Sequence, residues 1–476
     1  MQQATFHNSL VNKTKFYQQL PHPLKTLSVS AWGFYLRALR YGGEFELQVE
    51  EALERDTWSK RQWDTWQQEA LARMLQHAAT TVPFYRRSWE ERRRKGDKAS
   101  WDILENWPIL EKEKVREYPQ LFISDSSKGK RLFVDHTGGT TGKPTMIYES
   151  RESIRKMYAL HEARTRRWFG VDRHQRWGML GGQKIIPLDQ THPPYWVWNR
   201  GLNQVYFSVF HIKPETAKHY VDALWKYRPT HLVVYPSACA ILAKFMLEQG
   251  LQAPEIKVII CNSESTLPKY RELMSKAFNC PIIDTYGMAE MCVAASECLE
   301  GTQHYWPDTG IIEVYDPHRQ EFINDIGSPG DYVLTGLMNP DMPLIRYANH
   351  DIGYLPDWQS HCSCGRSLPS LASISGRSND LILTKDGREL YILDTLYNGL
   401  PVVEGQLIQY SMDEFEIKVI PDEAFLHDAV LEEITVRLGQ YLGGVDLKLT
   451  EVDEIEKNPN GKFKPFISMI NNQTYQ

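Results

Sequence analysis

Nine consecutive residues, His136-Thr137-Gly138-Gly139-Thr140-Thr141-Gly142-Lys143-Pro144, bring three glycines, three threonines and one lysine together. Glycine lets backbone N–H groups approach a phosphate closely and accepts φ > 0. Threonine hydroxyls supply further donors and the lysine a positive charge. This is the composition of a loop that wraps the phosphates of a nucleotide. It is not a P-loop, which needs four residues between its glycines and then Gly-Lys-Ser/Thr opening a helix. Here three residues separate Gly138 from Gly142, and Pro144 stands where the hydroxyl would be. Other chemistry-bearing residues are dispersed: the acidic Glu264, Glu290 and Asp351, the basic Arg377 and Lys462, and two short pairs, Cys298-x5-His304 and Cys362-x-Cys364. Two such pairs are what a tetrahedral zinc site takes, with Cys292 and His361 as substitute ligands.

The elements that position these groups follow from pattern. Arg131–Asp135 and Thr145–Glu149 are β-branched and aromatic runs bounding the Gly-rich loop, so the loop joins two strands. His231–Tyr235, Ile256–Cys261 and Pro281–Thr285 are apolar strands alternating with helices over Ser237–Gln249 and Pro268–Asn279. Non-alternating apolar strands separated by helices predict parallel pairing with helices covering the sheet. Ligands bind at the carboxyl ends of such strands. Asn262-Ser263-Glu264-Ser265 and Tyr286-Gly287-Met288-Ala289-Glu290 lie there, and Ser263 and Glu264 are counted with the nucleotide-binding residues. Gly310–Tyr315, Asp331–Thr335 and Leu344–Tyr347 predict a small antiparallel sheet or distorted barrel. Residues 1–130 read as mostly helical, with helices over Ser28–Leu39 and Trp58–Thr81. Ser28–Leu39 suits a docked helix better than one lying on a membrane. Glu152–Phe169 predicts another helix, and Arg92–Lys98 a solvated loop or helix end. Beyond Asp380 the order is strand, strand, helix, strand: Gln406–Tyr410, Glu414–Ile420, Asp428–Tyr441 and Leu447–Val452.

At 476 residues two or more domains are expected. Net charge is −6, which leaves no electrostatic footprint for nucleic acid. No run of 18 apolar residues predicts a transmembrane helix, and Met1–Asn8 lacks the features of a signal peptide. Seven cysteines in so long a chain fit a reducing, cytoplasmic setting better than a disulfide framework.

The order Thr137–Pro144, Tyr286–Glu290, Arg346-Tyr-Ala-Asn-His-Asp351, Gly376-Arg-Ser-Asn-Asp380, Asn460-Gly-Lys462 resembles the acyl-adenylate-forming superfamily. Within it the chain is most similar to the phenylacetate–CoA ligase group and its CapK-type branch, on Arg346-Tyr347, Cys362-Ser-Cys364-Gly-Arg366 and the short C-terminal part. The resemblance spans residues ~60–470. It implies an α/β fold: a large N-terminal adenylation domain, 1–378, with parallel and mixed sheets and a small distorted barrel, and a mobile α+β lid, 379–476. It implies a two-step reaction. A carboxylate attacks the α-phosphate of ATP, giving an acyl-adenylate and pyrophosphate; a nucleophile, coenzyme A by this resemblance, then takes the acyl group.

The resemblance also implies roles. Thr137, Gly138, Gly139, Thr140, Thr141, Gly142 and Lys143 would bind the β- and γ-phosphates, and Glu290 would help hold Mg²⁺. Tyr286 would pack on adenine, and Gly287 would leave room near the α-phosphate. Asp351 would accept from the ribose hydroxyls and Arg377 would reach ribose and phosphate. Lys462, with Lys464 as its neighbour, would swing in with the lid about a hinge at Asp380. Some relatives carry zinc on three cysteines and one histidine, matching Cys298, His304, Cys362 and Cys364 as a structural site. Asn379 stands where aspartate is usual. The segment Leu383–Tyr391 lacks the glycine-aromatic-proline pattern that faces the pantetheine tunnel in phenylacetate–CoA ligases, so a carrier-protein thiol, an amine or a sugar hydroxyl stands as the alternative acceptor. A silent nucleotide-binding scaffold is the reading from another class. The acyl pocket is expected between ~175 and 290, with Tyr206, Phe207, Phe210, His211, Met288 and Ala289 as candidates, leaning to an aryl or other organic acid.

Overall fold

The computed structural model describes residues 17–136, 145–372, 376–377, 382–383, 389–390, 396–397, 400–442, 444–456 and 463–470. It divides into two compact units, the first made of Met1–Gly43, Arg164–Asp284 and Glu456–Phe463, the second of Glu44–Ala163, Thr285–Ile455 and Lys464–Gln476.

Unit 1 is built on the predicted alternation. His231–Val234, Val258–Cys261 and the start of Ile282–Gly287 lie side by side in parallel, and Trp177–Gly181 adds to the other side of His231–Val234. Gln204–Ser208 pairs with Trp177–Gly181 in parallel, and Trp196–Asn199 closes the edge antiparallel. Helices Ala217–Tyr227, Pro236–Glu248 and Pro268–Phe278 connect the strands. Their apolar faces and one face of the central strands form a core around Val205, Phe207, Tyr220, Leu232, Ala243 and Met274, and the alternate residues Val258, Ile260 and Ile283 form a second cluster with Val171. Proline opens Pro236–Glu248 and Pro268–Phe278, where its missing N–H costs nothing.

The first helix, α1 (His22–Arg40), lies along the edge strand Trp196–Asn199. His22 Nε2 meets the Trp196 carbonyl at 2.8 Å, Ser30 Oγ donates to the Trp198 carbonyl at 3.2 Å, and the Arg200 N–H donates to Ser30 Oγ at 3.1 Å. Glycine makes the approach possible. A Cβ on Gly33 would stand 1.8 Å from Asn199 Oδ1, and one on Gly201 would stand 2.2 Å from the Phe34 nitrogen. Side-chain groups of α1 thus satisfy backbone atoms that an open sheet edge would leave unpaired.

Unit 2 opens with helices Phe45–Arg55, Lys60–Thr81 and Pro83–Arg94. The second begins two residues later than Trp58, because Ser59 and Gln62 form a reciprocal capping box. Its sheet is the predicted antiparallel one, Gly310–Asp316, Gly330–Gly336 and Tyr347–Gly353, flanked by Glu321–Ile323 and Leu110–Glu111. Leu344–Arg346 is not part of it: Arg346 has φ +51°, which breaks the extended run, and the strand starts at Tyr347. Arg346 donates to both oxygens of Glu313, Nε to Oε2 at 2.9 Å and Nη2 to Oε1 at 2.7 Å, and its Nη1 reaches the carbonyls of Glu105 and Trp107. Glu152–Phe169 is not one helix either. Arg151–His161 is α-helical, Glu162–Arg166 widens into a π turn, and Gly170 at φ +66° ends the run. Arg92 belongs to the end of Pro83–Arg94, stacked 4.1 Å over Trp89 and paired with Asp97.

Two strands, Phe133–His136 and Met146–Glu149, pair antiparallel on either side of the Gly-rich loop, as the flanking residues predict. The C-terminal part of unit 2 has its own core around Leu407, Phe415, Ile417, Ile434 and Leu438. Its sheet runs Asp446–Glu451, Glu414–Pro421, Val402–Gln409, Phe466–Ser468, with helix His427–Leu442 over it.

Candidate active site

Three acidic residues carry most of the expected chemistry, and each sits beside a non-glycine residue at positive φ. Ser263 (φ +68°) precedes Glu264, Met291 (φ +56°) follows Glu290, and His350 (φ +62°) precedes Asp351. Such backbone outside glycine is uncommon and gathers at functional sites.

In unit 2, Asp351 and Glu290 are buried. The Tyr286 hydroxyl donates to Asp351 Oδ2 at 2.6 Å, and Asn349 Nδ2 donates to the same oxygen at 2.7 Å and to the Tyr286 hydroxyl at 3.2 Å. The Asp351 N–H in turn donates to Asn349 Oδ1 at 3.1 Å. Burial, then the Asp351 carboxylate, pushes the Tyr286 phenol well above its ordinary range, so it stays a donor. Glu290 Oε1 accepts from the Tyr347 hydroxyl at 2.8 Å, and Lys112 Nζ stands 3.6 Å from it. Strand Tyr347–Gly353 therefore supplies Tyr347 to Glu290 and Asn349 to Asp351. The end of Ile282–Gly287 and the turn after it supply Tyr286 and Glu290. A Cβ on the exposed Gly287 would meet nothing nearer than 3.9 Å, so packing does not demand glycine there and its bare backbone is open to a ligand.

In unit 1, Ser263 is exposed and Glu264 half-buried, just beyond the carboxyl end of Val258–Cys261. Glu264 Oε2 accepts from the Ser237 N–H at 3.1 Å, at the start of helix Pro236–Glu248, and Oε1 accepts from the Phe463 N–H at 2.7 Å. Phe463 is the residue after Lys462. The pocket candidates Tyr206, Phe207 and His211 are core residues: Tyr206 accepts from the Gln183 N–H, and His211 bonds Ser208 Oγ and the Pro187 carbonyl. Phe210 packs against that core, and Met288 against the core of unit 2.

Thr137, Gly138, Gly139, Thr140, Thr141, Gly142, Lys143 and Lys462 lie outside the described residues, as does the hinge at Asp380. Arg377 pairs with Asp351 across strands, in backbone register. Asn349, Tyr347 and Lys112 are partners that motif reading passed over. The period of two along Tyr347–Asp351 was the available signal; nothing local marks Lys112.

The ligand atoms of Cys298, His304, Cys362 and Cys364 lie within 4.8 Å of one another. Cys298 Sγ is 3.6 Å from Cys362 Sγ, and Cys364 Sγ is 3.3 Å from His304 Nε2. A tetrahedron with Zn–S bonds of about 2.3 Å has edges of roughly 3.8 Å, close to these separations. His304 Nδ1 meets the Leu368 carbonyl at 3.1 Å, which leaves Nε2 as the ligating atom, the usual support for a metal-bound histidine. The donor set fits zinc.

The sequence model described as AMP-binding enzyme matches residues 63–340, more than half of the chain. The chain belongs to the AMP-binding enzyme family. A second model, the CapK C-terminal domain, matches residues 382–470. Among relatives of this AMP-binding enzyme are Protein CapK of Staphylococcus aureus, 23% identical over 81% of this chain and 85% of that protein. The phenylacetate-coenzyme A ligase of Thermus thermophilus is 25% identical over 76% and 82%. A crystal structure of 2-hydroxyisobutyryl-CoA ligase in complex with R3-HIB-AMP superposes with a TM-score of 0.66 at 21% identity, over 88% of this chain and 93% of that one, which shows a shared fold. This AMP-binding enzyme is thus an adenylate-forming ligase of the phenylacetate–CoA ligase and CapK branch. Among the described residues no helix is long and apolar enough to cross a membrane.

Proposed function

We propose that this ligase activates a small organic acid, aryl by preference, as its acyl-adenylate and passes the acyl group to coenzyme A. The observation that carries the reading is the bonded group Tyr286–Asp351–Asn349, with Glu290 four residues beyond Tyr286. Asp351 holds its carboxylate against two donors and would accept from the ribose hydroxyls, with Arg377 beside it in register. Tyr286 offers its ring to adenine and Gly287 its backbone. The loop residues Thr137, Gly138, Gly139, Thr140, Thr141, Gly142 and Lys143 hold the pyrophosphate leaving group. Ser263 and Glu264 frame the nucleotide segment of unit 1, and Glu264 binds the backbone next to Lys462. That lysine stabilises the charge developing between the attacking carboxylate and the α-phosphate.

Glu290 is the carboxylate that would hold Mg²⁺, a hard cation suited to oxygen donors. When bound, the ion neutralises phosphate charge; Lys112 and Tyr347 keep Glu290 in place. Cys298, His304, Cys362 and Cys364 would hold a structural zinc, since all four positions of a tetrahedron are filled by protein. Residues 1–378 form the adenylation part and 379–476 the lid, a division supported by the match of residues 382–470 to a C-terminal domain.

Coenzyme A as acceptor is supported by the relatives whose names include it. Carboxylate-dependent ATP–pyrophosphate exchange across an acid panel tests the first step, and addition of coenzyme A to each hit tests the second. Exchange without coenzyme A consumption moves the acceptor to a carrier-protein thiol, an amine or a sugar hydroxyl. Tight ATP binding without exchange means a silent scaffold. Lys462→Ala nearly abolishes exchange and leaves ATP affinity within a few-fold; normal exchange in that variant removes the lysine from the mechanism.

A further inference from the structure

The outward face of α1 is apolar although its inward face already covers the sheet edge. Leu24, Leu27, Ala31, Phe34 and Ala38 recur at alternating spacings of three and four, which places them in one stripe. Leu24 is 47% exposed, Leu27 65%, Trp32 58% and Phe34 51%. Trp32 and Tyr35 stack beside the stripe with centroids 4.8 Å apart. The opposite side holds the buried Lys25, Ser30, Gly33 and Leu39. A contiguous row of large apolar side chains on a helix fixed in place is an interaction surface.

Charge says what kind of surface it meets. Unit 1 carries more than twice as many Lys and Arg as Asp and Glu, whereas the whole chain has 54 against 60. Residues 1–43, which contain α1, have no Asp or Glu at all. Arg37 and Arg40 occupy the last turn of α1. At that end a shallow cleft is lined by Arg37, Tyr41, Arg173, His174 and Trp177. Arg173 stacks over the Tyr41 ring at 5.3 Å, so its guanidinium is held at the cleft. An apolar stripe carrying Trp and Phe, followed by arginines and a basic cleft, matches the two layers of an anionic bilayer surface: acyl boundary, then phosphate. We infer that α1 seats this enzyme on anionic membranes, with Leu24, Leu27, Trp32 and Phe34 in the acyl boundary and the cleft of Arg37 and Arg173 on a lipid phosphate.

Flotation of the full chain with vesicles tests this. Vesicles of phosphatidylcholine containing phosphatidylserine should carry the protein, and pure phosphatidylcholine at least about tenfold less. The triple variant Leu27→Ser, Trp32→Ser, Phe34→Ser should lose binding at least about tenfold with an unchanged melting temperature. Arg37→Glu, a second exposed change, should weaken binding to the anionic vesicles alone. Failure of the wild-type chain to float, equal flotation with both lipids, or normal binding by the triple variant overturns the inference. So does a lipid-free dimer that the triple variant dissolves, which would place a second copy on the stripe. Stabilisation by inorganic phosphate that Arg173→Glu removes, without vesicle binding, would assign the cleft to a soluble anion and also overturn it. None of these readouts depends on which acid is activated.

Discussion

The Phe463 N–H donates to Glu264 Oε1 at 2.7 Å, tying the residue after Lys462 to a carboxylate whose other oxygen caps helix Pro236–Glu248. Glu264 therefore spans a rigid helix start and the segment that carries the lysine. A hydrogen bond to a charged group contributes about 1.5–3 kcal/mol. Glu264→Ala is expected to slow ATP–pyrophosphate exchange roughly tenfold or more while ATP affinity stays within a few-fold. Glu264→Gln, which keeps one acceptor oxygen, should fall between. Loss of ATP affinity with an unchanged exchange rate would instead make Glu264 a nucleotide contact.

Asp351 and Tyr286 should separate by size of effect. Asp351→Ala removes the carboxylate and is expected to weaken ATP binding about 10- to 100-fold. Tyr286→Phe keeps the ring and leaves Asn349 on Asp351, so a loss under about tenfold is expected. Isothermal titration with ATP reads both. Equal losses would mean that Tyr286 acts through its hydroxyl and not its ring.

His350 gives a pH dependence with a definite sign. The Asp331 carboxylate 3.9 Å from Nδ1, followed by the Glu111 carboxylate 3.8 Å from Nε2, raises its pKa above the ordinary value of 6.5 although burial opposes this. A raised folded-state pKa contributes stability that is fully present below the unfolded value and is lost as pH rises through the folded one. Urea midpoints should therefore decline as pH climbs from below 6.5 to above the raised value. Asp331→Asn should flatten that decline. An Asp331→Asn profile as steep as the wild type's would rule the pair out as its cause.

Purified protein should carry about one equivalent of zinc. Removing it with a chelator, or replacing Cys364 with serine, is expected to lower the melting temperature. Less than half an equivalent, with no change on chelation, would leave the four residues as unliganded thiols and imidazole.

Much of this was legible. Apolar strands His231–Val234 and Val258–Cys261 could only be parallel and covered, since both faces are hydrophobic, and Phe133–His136 had to turn back through the Gly-rich loop. The motif ending at Asp351 pointed to the right strand but not to its working partners. Asn349 and Tyr347 stand at the period of two along that strand, a signal the motif does not use, and the positive φ of Arg346 and His350 beside them has no sequence signature. Arg346 itself was legible as a motif residue, yet its task is a bidentate pair with the half-buried Glu313 more than thirty positions away. Arg346→Ala should cost about 1.5–3 kcal/mol in urea unfolding, because it leaves the half-buried Glu313 carboxylate without its charged donor. Lys112 beside Glu290 is a pairing of distant positions that no local pattern encodes.

Gly33 and Gly201 let α1 lie against Trp196–Asn199 closely enough for Ser30 and His22 to reach the backbone of that strand. Trimming the chain to begin after residue 43 would strip those partners away. The uncovered strand, rich in tryptophan and valine, would then be free to recruit a strand from another molecule. A shortened protein would be expected to precipitate or polymerise through that edge with its catalytic residues intact, so insolubility in such a truncation would report a lost neighbour and not a failed core.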